Sequence, residues 1–364
     1  MLNINIHQKE LIRKTDIVQL IDKYQINKVL ICPLDWGLGH ASRCIPIIQL
    51  IQKLGIQITI AASAQPYELL KSEFPDLRFI DFPAYSKISY SSYLPAWLKI
   101  AFQTPSFWAG YFFERKWISR QFAKEKFDLI ISDNRYGVFH PSSINILITH
   151  QLRIQLPGIL SFTSLLFNKL IEKAVMHFHE CWIPDNEGLI NLSGKLSHCR
   201  SLPLNVKFIG AISRFKLPEN EERLQSIDIL VLLSGPEPQR SILEKLLFEI
   251  LSKSKFNVHI IRGTTEQNYQ MKMPENCTSE NLTCSEPLER LILSSKLIIA
   301  RSGYTTVMDL HLLNRKCILI PTPGQTEQEY LADYLKDKFN FYFVKQKFVR
   351  ANLLRLIHEI LEKN

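Results

Sequence analysis

The sequence predicts an α/β protein of two domains, each built on a parallel sheet. Its 364 residues are too many for one small domain and suit two domains of about 150 to 200 residues. Short β-branched apolar runs alternate with segments of helical periodicity, first from Lys28 and again from Ile227. Continuous apolar strands joined through helices are typical of parallel sheets covered on both faces. Because both halves begin with strand, loop and helix, we expect two Rossmann-like domains facing each other across a cleft.

The elements follow from hydrophobic period and turn residues. In the first half we expect a helix over 8–24, a helix over 45–54 after a glycine loop, and strands over 28–33, 56–62, 77–82, 128–132, 144–149, 181–184 and 206–209. In the second half we expect strands over 227–233, 257–261, 297–300 and 317–320, and helices over 241–251, 288–293, 305–313 and 325–337. The predicted organisation is a helical extension over 1–27, an N-terminal domain over 28–210 and a C-terminal domain over 211–364.

Composition excludes several classes of protein. Hydrophobic residues make up 46% and charged residues 22% of the chain, near the globular average, which argues against disorder and coiled coil. No apolar stretch is long enough to cross a bilayer, and no export signal is evident. The seven cysteines include no Cys-x-x-Cys pair, so we expect no disulfide framework, no zinc site and a cytoplasmic location. The net charge of +9, concentrated in the first half, suggests an anionic partner, but no nucleic-acid-binding motif accompanies it.

The first candidate motif is Gly37-Leu38-Gly39-His40, between the first strand and its helix. Its two glycines allow backbone N–H groups to approach a ligand at a helix N-terminus, where the dipole favours negative charge. The motif is not a dinucleotide fingerprint, because Ser42 stands where the third glycine would be. A lone histidine is more often structural than catalytic. His40, however, comes directly after Gly-x-Gly at the carboxyl edge of a parallel sheet, where such folds bind ligands, which favours a functional role.

The second candidate motif, Arg301-Ser302-Gly303-Tyr304-Thr305-Thr306-Val307-Met308-Asp309, again follows a strand and opens a helix. An arginine, several hydroxyls and a helix N-terminus together suit a diphosphate. Asp309, one turn into the helix, is placed to accept hydrogen bonds from sugar hydroxyls. The alternative is an ordinary capped helix with a solvated acid, but a cap needs only one Ser or Thr.

The third candidate motif, Pro321-Thr322-Pro323-Gly324-Gln325-Thr326-Glu327-Gln328-Glu329-Tyr330, follows the next strand. Its polar side chains are expected at the same end of the sheet as those of the second motif. Glu327 and Gln328 suit the hydroxyls of a hexose. An ordinary helix N-terminus rich in acidic residues is the competing interpretation.

Taken in this order, the three motifs resemble those of the two-domain nucleotide-sugar glycosyltransferases of the GT-B fold. The resemblance is strongest to glycosyltransferase family 28, which includes the N-acetylglucosaminyltransferase that makes peptidoglycan lipid II, and it extends to the UDP-glycosyltransferases of family 1. It implies a UDP-sugar donor held mainly by the C-terminal domain, an acceptor bound by the N-terminal domain, and no cofactor or metal ion.

The resemblance also implies roles for individual residues. In the N-terminal domain, His40 would be the general base and Asp133, after a later strand, would orient it; the loop with Gly37 and Gly39 would approach the donor. His150 follows another strand and resembles part of an acceptor-side motif of family 28. In the C-terminal domain the implied donor-binding residues are Gly235, Arg301, Ser302, Gly303, Thr305 and Thr306 for the diphosphate, Asp309 for the ribose, and Glu327 and Gln328 for the sugar.

A segment dense in aromatic and basic residues lies between Tyr85 and Lys126. Aromatic rings with flanking cations suit the interface of an anionic membrane. The predicted membrane-contact residues are Trp97, Lys99, Trp108, Arg115, Lys116, Trp117 and Arg120. Helices packed on the N-terminal domain explain the same composition equally well.

The sequence therefore predicts an inverting, metal-independent glycosyltransferase that moves a sugar from a UDP-sugar to a hydroxyl acceptor. The acceptor would be a glycan of the cell envelope or a lipid-linked molecule, and in the second case the protein would attach peripherally to the inner face of the plasma membrane. Two alternatives stay open: a non-hydrolysing UDP-sugar 2-epimerase, and a non-catalytic protein that binds nucleotide sugars or glycans.

Overall fold

The computed structural model of the chain describes residues 17–83, 96–153, 161–199, 201–215, 226–264 and 274–362. For residues 96–107 and 161–167 it describes the backbone only. The chain forms two compact units whose main boundary lies between Ile212 and Ser213. A helix over 17–24 (α1) precedes the first strand, and Ile17, Leu20 and Ile21 on it are buried. The rest of the predicted helix over 8–24 lies outside the described residues.

The first unit is built on a seven-stranded parallel sheet in the order β3-β2-β1-β4-β5-β6-β7. Its strands are β1 (Lys28–Pro33), β2 (Gln57–Ala62), β3 (Arg78–Asp81), β4 (Leu129–Asp133), β5 (Ile144–Ile148), β6 (Glu180–Ile183) and β7 (Val206–Phe208). Its further helices are α2 (Leu38–Lys53), α3 (Ala64–Glu73), α4 (Ala96–Lys124) and α5 (Ser161–Val175). The strand order reverses between β1 and β4, which is where folds of this kind bind ligands.

The second unit repeats this plan with a six-stranded parallel sheet in the order β10-β9-β8-β11-β12-β13. Its strands are β8 (Ile227–Leu232), β9 (Val258–Ile261), β10 (Cys277–Glu280), β11 (Ser295–Ala300), β12 (Cys317–Leu319) and β13 (Phe341–Phe343). Its helices are α6 (Gln239–Leu251), α7 (Ser285–Leu293), α8 (Tyr304–Leu312), α9 (Thr326–Leu335) and α10 (Val349–Glu362). Here the strand order reverses between β8 and β11.

Apolar strands explain where each core lies. All five residues of β4 are buried, and so are the last five of β1, as expected for central strands covered on both faces. In the second unit, residues of β8 and β11 such as Val231 and Ile299 share a buried cluster with Leu353 and Ile357 of α10. Both sheets therefore hold their central strands rigidly, and the loops that follow them are fixed at one end.

The predicted fold class of two Rossmann-like α/β domains is confirmed, and every predicted strand is present with ends that differ by at most two residues. The sequence did not predict β10, β13, α3, α4, α5 or α10. Residues 278–280 of β10 are polar and exposed, and β13 has only three residues, so neither edge strand has an apolar pattern of useful length. In α4, aromatic residues lie on both the buried and the exposed faces, which hides the helical period.

Candidate functional site

His40 and Asp133 are in direct contact in the first unit. The imidazole Nδ1 of His40 lies 2.7 Å from Oδ1 of Asp133. The carboxylate of Asp133 is completely buried, whereas the side chain of His40 is 15% exposed. A buried carboxylate that accepts the Nδ1 proton of a histidine fixes the ring orientation and leaves the Nε2 lone pair for chemistry. The structure thus brings together the two residues that the sequence proposed as base and orienting acid.

Sheet register explains this meeting. Pro33 at the end of β1 pairs with Asp133 at the end of β4, and Asp133 pairs with Ile148 at the end of β5. The carboxyl ends of these three neighbouring strands therefore lie side by side. Asn134 then turns the chain with a φ of 56°, a left-handed conformation that asparagine tolerates better than most residues. Its backbone N–H donates to the carbonyl of Ile148 at 2.9 Å, which fixes the end of β4.

Arg43 completes the cluster and was not assigned a role from the sequence. It lies three residues after His40, on the same face of α2, and its side chain is 1% exposed. Its guanidinium Nε and Nη2 donate to the two oxygens of Asp133, one each. Its Nη1 lies 2.9 Å from Nδ1 of His150. The i, i+3 spacing from His40 was the one signal in the sequence that could have identified Arg43.

Burial and charge set the protonation states of this cluster. Burial lowers the pKa of His40, the Arg43 guanidinium lowers this pKa further, and Asp133 opposes both effects. Burial alone would raise the pKa of Asp133, but Arg43 and His40 together hold this pKa well below its usual range. His40 is therefore neutral near pH 7 and Asp133 is ionised, which are the states that a general base and its orienting acid require.

A second buried ionic network supports the loop that precedes His40. Arg135 donates from Nε to the carbonyl of Pro33 at 2.9 Å, from Nη2 to Asp35 at 3.2 Å and from Nη1 to Glu114 of α4 at 3.3 Å. Glu114 also accepts from the backbone N–H of Gly137 at 2.8 Å. Arg135 thereby connects the end of β1, Asp35 just ahead of the glycine loop, and α4. In that loop Gly37 has a φ of 81°, in the left-handed region that favours glycine.

In the second unit, the predicted diphosphate residues surround the beginning of α8. Gly303 is the residue before the first turn of α8, and Thr305 and Thr306 lie partly buried within that turn. The free N–H groups of such a turn favour an anion. The hydroxyl of the buried Ser302 donates to the carbonyl of Gln328 at 2.8 Å. Ser302 is therefore bonded to the first turn of α9, and the backbone N–H groups are the candidate donors to phosphate.

Arg301 differs from its predicted role as a phosphate contact. The residue has no exposed surface, and its Nη atoms donate to the carbonyls of Gln239 at 2.7 Å and Pro321 at 3.1 Å and to the side-chain oxygen of Gln346 at 2.7 Å. Burial lowers its pKa to about 10. Arg301 therefore connects the start of α6, the loop after β12 and Gln346, and its guanidinium does not face solvent.

Asp309 is buried in α8 and accepts a hydrogen bond from the hydroxyl of Ser213 at 2.5 Å. Burial raises its pKa to about 6, although Arg214, the Ser213 hydroxyl and the backbone N–H of Arg214 oppose this shift. A sugar hydroxyl that binds Asp309 must therefore either donate to the other carboxylate oxygen, Oδ2, or displace the hydroxyl of Ser213.

The remaining donor-side residues lie in the loop after β8 and in the first turn of α9, at the carboxyl edge of the second sheet. Gly235, after β8, is exposed and has a φ of 99°. Glu327 and Gln328 lie partly buried in the first turn of α9. The side-chain oxygen of Gln328 accepts from the backbone N–H of Thr322 at 2.9 Å. Because carboxyl ends of parallel strands share one edge, these residues lie at the same edge as the start of α8.

The predicted membrane-contact residues divide into buried and exposed sets. The prediction that Trp117 contacts a membrane does not fit the structure, because this side chain is 6% exposed and packs on Phe82 with ring centroids 4.1 Å apart. Arg115 is half-buried, donates to the carbonyl of Phe139 and lies 3.7 Å above the Phe139 ring. Lys116 and Arg120 are exposed and Trp108 is partly buried, while the side chains of Trp97 and Lys99 lie outside the described part.

Two features are absent from the described residues. No three His, Cys, Asp or Glu side chains in the described ranges come together closely enough to hold a metal ion. None of the helices found in those ranges combines the length and apolar character needed to span a bilayer.

Comparison with known proteins supports the predicted resemblance. Residues 237–364 match the family model of the glycosyltransferase family 28 C-terminal domain. A curated Wolbachia protein, UDP-N-acetylglucosamine--N-acetylmuramyl-(pentapeptide) pyrophosphoryl-undecaprenol N-acetylglucosamine transferase, is 23% identical over 167 residues, which cover 43% of this chain and 48% of the relative. The chain thus matches about half the length of that relative.

Solved structures are similar over most of the chain. The glycosyltransferase of kitacinnamycin aligns with a TM-score of 0.62 at 10% identity, covering 92% of this chain and 90% of that one. The Acinetobacter baumannii MurG structure aligns with a TM-score of 0.52 at 13% identity, covering 92% and 90%. These likenesses show a GT-B fold, and together with the family model they confirm the predicted resemblance to GT-B glycosyltransferases of the family 28 type.

Proposed function

We propose that this chain, which has the GT-B fold and a C-terminal domain of the glycosyltransferase family 28 type, transfers a sugar from a UDP-sugar to a hydroxyl acceptor. The observation that carries the proposal is the pair formed by His40 and the buried Asp133 at the carboxyl ends of β1 and β4. The match of residues 237–364 to the family model supports the choice of donor class.

In the proposed reaction His40 is the general base. Its Nδ1–H donates to Asp133, so the lone pair on Nε2 removes the proton of the acceptor hydroxyl as that oxygen attacks the anomeric carbon. The imidazolium that forms is stabilised by the ionised carboxylate 2.7 Å away. Direct attack by the acceptor breaks the bond from the anomeric carbon to the diphosphate and inverts the configuration at that carbon.

The second unit would bind the donor and stabilise the departing UDP. Backbone N–H groups in the first turn of α8, around Gly303, Thr305 and Thr306, face the carboxyl edge where a diphosphate would lie, and the helix dipole favours its negative charge. Asp309 would bind a ribose hydroxyl through a carboxylate oxygen, and Glu327 with Gln328 would bind the sugar. We propose that these groups suffice without a metal ion.

The acceptor is proposed to be a glycan or a lipid-linked molecule of the cell envelope. The name of the Wolbachia relative describes an undecaprenol-linked acceptor, and the exposed face of α4 offers a means of approaching a lipid surface. On this face Phe112 is 64% exposed, and Lys116, Arg120 and Lys124 are exposed at helical spacing. Aromatic and basic residues in this arrangement suit reversible attachment to an anionic membrane.

A donor screen followed by a turnover assay tests the proposed function. Thermal unfolding is recorded with a panel of nucleotide sugars, where a ligand at 100 times its dissociation constant stabilises the protein by about 2.7 kcal/mol. The stabilising UDP-sugar is then incubated with and without acceptor fractions, and UDP release is measured. We expect release only with acceptor.

Three outcomes of this screen would contradict the proposal. Stabilisation by no UDP-sugar would remove the donor assignment. Conversion of a UDP-sugar to its epimer without acceptor would indicate a 2-epimerase, and binding without consumption by any acceptor fraction would indicate a non-catalytic binding protein.

A further inference from the structure

Arg43 contacts three partners at once, and the geometry of these contacts restricts where protons can lie. A guanidinium donates hydrogen bonds and accepts none. Arg43 Nη1 lies 2.9 Å from Nδ1 of His150, so that nitrogen must carry a lone pair and His150 must carry its single proton on Nε2. A doubly protonated His150 would turn an N–H toward another N–H and is disfavoured for the same reason.

The opposite state follows for His40. Its Nδ1 lies 2.7 Å from Oδ1 of Asp133 and 2.9 Å from Nη2 of Arg43. A lone pair on this nitrogen would face the lone pairs of an ionised carboxylate at the shorter of the two distances, which is strongly repulsive. Nδ1 therefore carries a proton that it donates to Asp133. The approach of Arg43 Nη2 to the same nitrogen arises because both groups donate to one carboxylate oxygen.

We propose that Arg43 is a positioning residue that holds His40 and His150 in opposite neutral tautomers. It keeps His40 neutral, with a proton on Nδ1 and a lone pair on Nε2 that can act as the base. This inference deepens the proposed function by naming the residue that prepares its base. Asp133 alone would orient His40 but would also attract a second proton to it. Arg43 neutralises that carboxylate from within the protein, so the cluster has no net charge while His40 is neutral.

The groups that face His40 support this charge balance. They are Arg43 on α2, Asp133 at the end of β4 and His150 after β5, and Cys44 Sγ lies 3.7 Å from the second oxygen of Asp133. Burial raises the pKa of the Cys44 thiol, so Cys44 adds no charge near neutral pH. A second proton on His40 would give the buried cluster an uncompensated positive charge, which is unfavourable in a medium of low dielectric constant.

Histidine NMR tests the proposal without donor or acceptor. The protein is labelled with ¹⁵N in its histidine side chains, and the signals of His40 and His150 are identified by their loss in His40→Gln and His150→Gln. We expect His40 to have its proton on Nδ1 and His150 on Nε2 at pH 7. The same tautomer at both positions, or a doubly protonated His150, would overturn the proposal. This measurement is made on the protein with Arg43 in place, so it does not depend on whether an Arg43 variant folds.

Variants of Arg43 test its causal role. In Arg43→Gln the His40 and Asp133 pair should take up its first proton at higher pH, and the fixed tautomer of His150 should be lost. Arg43→Lys retains the charge but cannot reach both partners, so the titration of His40 should stay nearer that of the unaltered protein while the tautomer of His150 is released. Arg240→Gln removes another buried arginine bonded to carboxylates, in the second unit, and should leave both histidine signals unchanged.

The outcomes separate this inference from the proposed function. If Arg43→Gln leaves the titration of His40 and the tautomer of His150 unchanged, Arg43 has no positioning role, whatever the activity of the protein. If the tautomers are as expected but no UDP-sugar is consumed, the inference stands and the proposed function fails. Where transfer is measurable, the acid limb of kcat/KM should move to higher pH in Arg43→Gln and less so in Arg43→Lys.

Discussion

Asp133 Oδ1 and His40 Nδ1 lie 2.7 Å apart although 93 positions separate the two residues in the chain. The contact exists because β1 and β4 are neighbours in the sheet and end at the same level, with Pro33 opposite Asp133. It places a neutral imidazole beside an ionised carboxylate that is shielded from water. This arrangement is the basis of the predictions on catalysis.

Substitution of His40 should remove turnover but not donor binding. His40→Gln keeps a polar side chain of similar size but cannot take a proton, so we expect transfer to fall by about 100-fold or more. UDP should still stabilise the variant against heat, because the proposed donor groups lie on α8 and α9. His358→Gln, at an exposed position on α10, is the matched control and should change neither property. Transfer at the normal rate in His40→Gln would show that another group is the base.

The pH dependence of transfer should follow the lowered pKa of His40. The base acts only when unprotonated, so kcat/KM should be constant near neutral pH and fall as the pH drops through the pKa of His40, which lies below its usual value of 6.5. The profile is measured at saturating donor with the acceptor varied. An acid limb centred well above pH 6.5 would contradict the protonation states assigned to the cluster.

Asp309 should make stability depend on pH. Its pKa is about 6 in the folded protein against 3.8 for an ordinary aspartate, so the folded state binds this proton more tightly than the unfolded state does. The contribution of this proton to the free energy of unfolding is fully present below about pH 4 and is lost as the pH rises through about 6. The free energy of unfolding should fall by up to about 3 kcal/mol over this interval.

Denaturant unfolding of the protein and of Asp309→Asn at pH 4 and pH 7 measures this term. The free energy of unfolding of the unaltered protein, relative to the variant, should be higher at pH 4 than at pH 7. Asp333→Asn, at an exposed position on α9, controls for the loss of a carboxylate as such. Equal differences at the two pH values for Asp309→Asn would mean that the buried carboxyl is not protonated in the folded state.

Trp117 should act through the core of the first unit. Trp117→Ala removes a ring packed on Phe82 beneath α4, and we expect the free energy of unfolding to fall by about 3 to 5 kcal/mol. Lys116→Ala, one position away and exposed, should change it by less than about 0.5 kcal/mol. Chemical denaturation of the two variants compares them directly, and a small effect of Trp117→Ala would show that the ring does not contribute to this core.

The exposed face of α4 should mediate attachment to anionic lipid. Co-sedimentation with vesicles that contain an anionic phospholipid should decrease as salt rises. It should weaken when Phe112, Lys116, Arg120 and Lys124 are replaced together by Ser, Gln, Gln and Gln. Replacement of Lys336 and Lys338 by Gln, on exposed positions of the second unit, is the control for loss of charge. Equal binding by both variants, or none at low salt, would favour packing as the only role of α4 and an acceptor that is not membrane-bound.

Local pattern was enough to predict much of the protein. The β-branched runs, the helical spacing and the glycine and hydroxyl-rich loops after strands indicated two α/β domains. They placed His40 and Gly303 in segments that follow strands, and Asp309 one turn into the next helix. These features depend on residues close in sequence, because burial of a strand or a helix face leaves its period in the chain. The pairing of His40 with Asp133 was expected only from the resemblance to known glycosyltransferases, which implied an orienting acid after a later strand.

Only the tertiary structure decided what these side chains contact. Arg43 and His150 join the site because β1, β4 and β5 are neighbours, a pairing that no local pattern encodes. Arg301 looked suited to phosphate beside its serine and glycine, yet its guanidinium donates to carbonyls at the start of α6 and in the loop after β12. Trp117 and Lys116 are adjacent in an aromatic and basic segment, but one is buried and the other exposed. The face of α4 that is buried is set by contacts with residues distant in sequence, such as Phe82 against Trp117 and Arg135 with Glu114. Sequence specifies the chemistry available in each loop, whereas strand order and packing determine which of those groups meet.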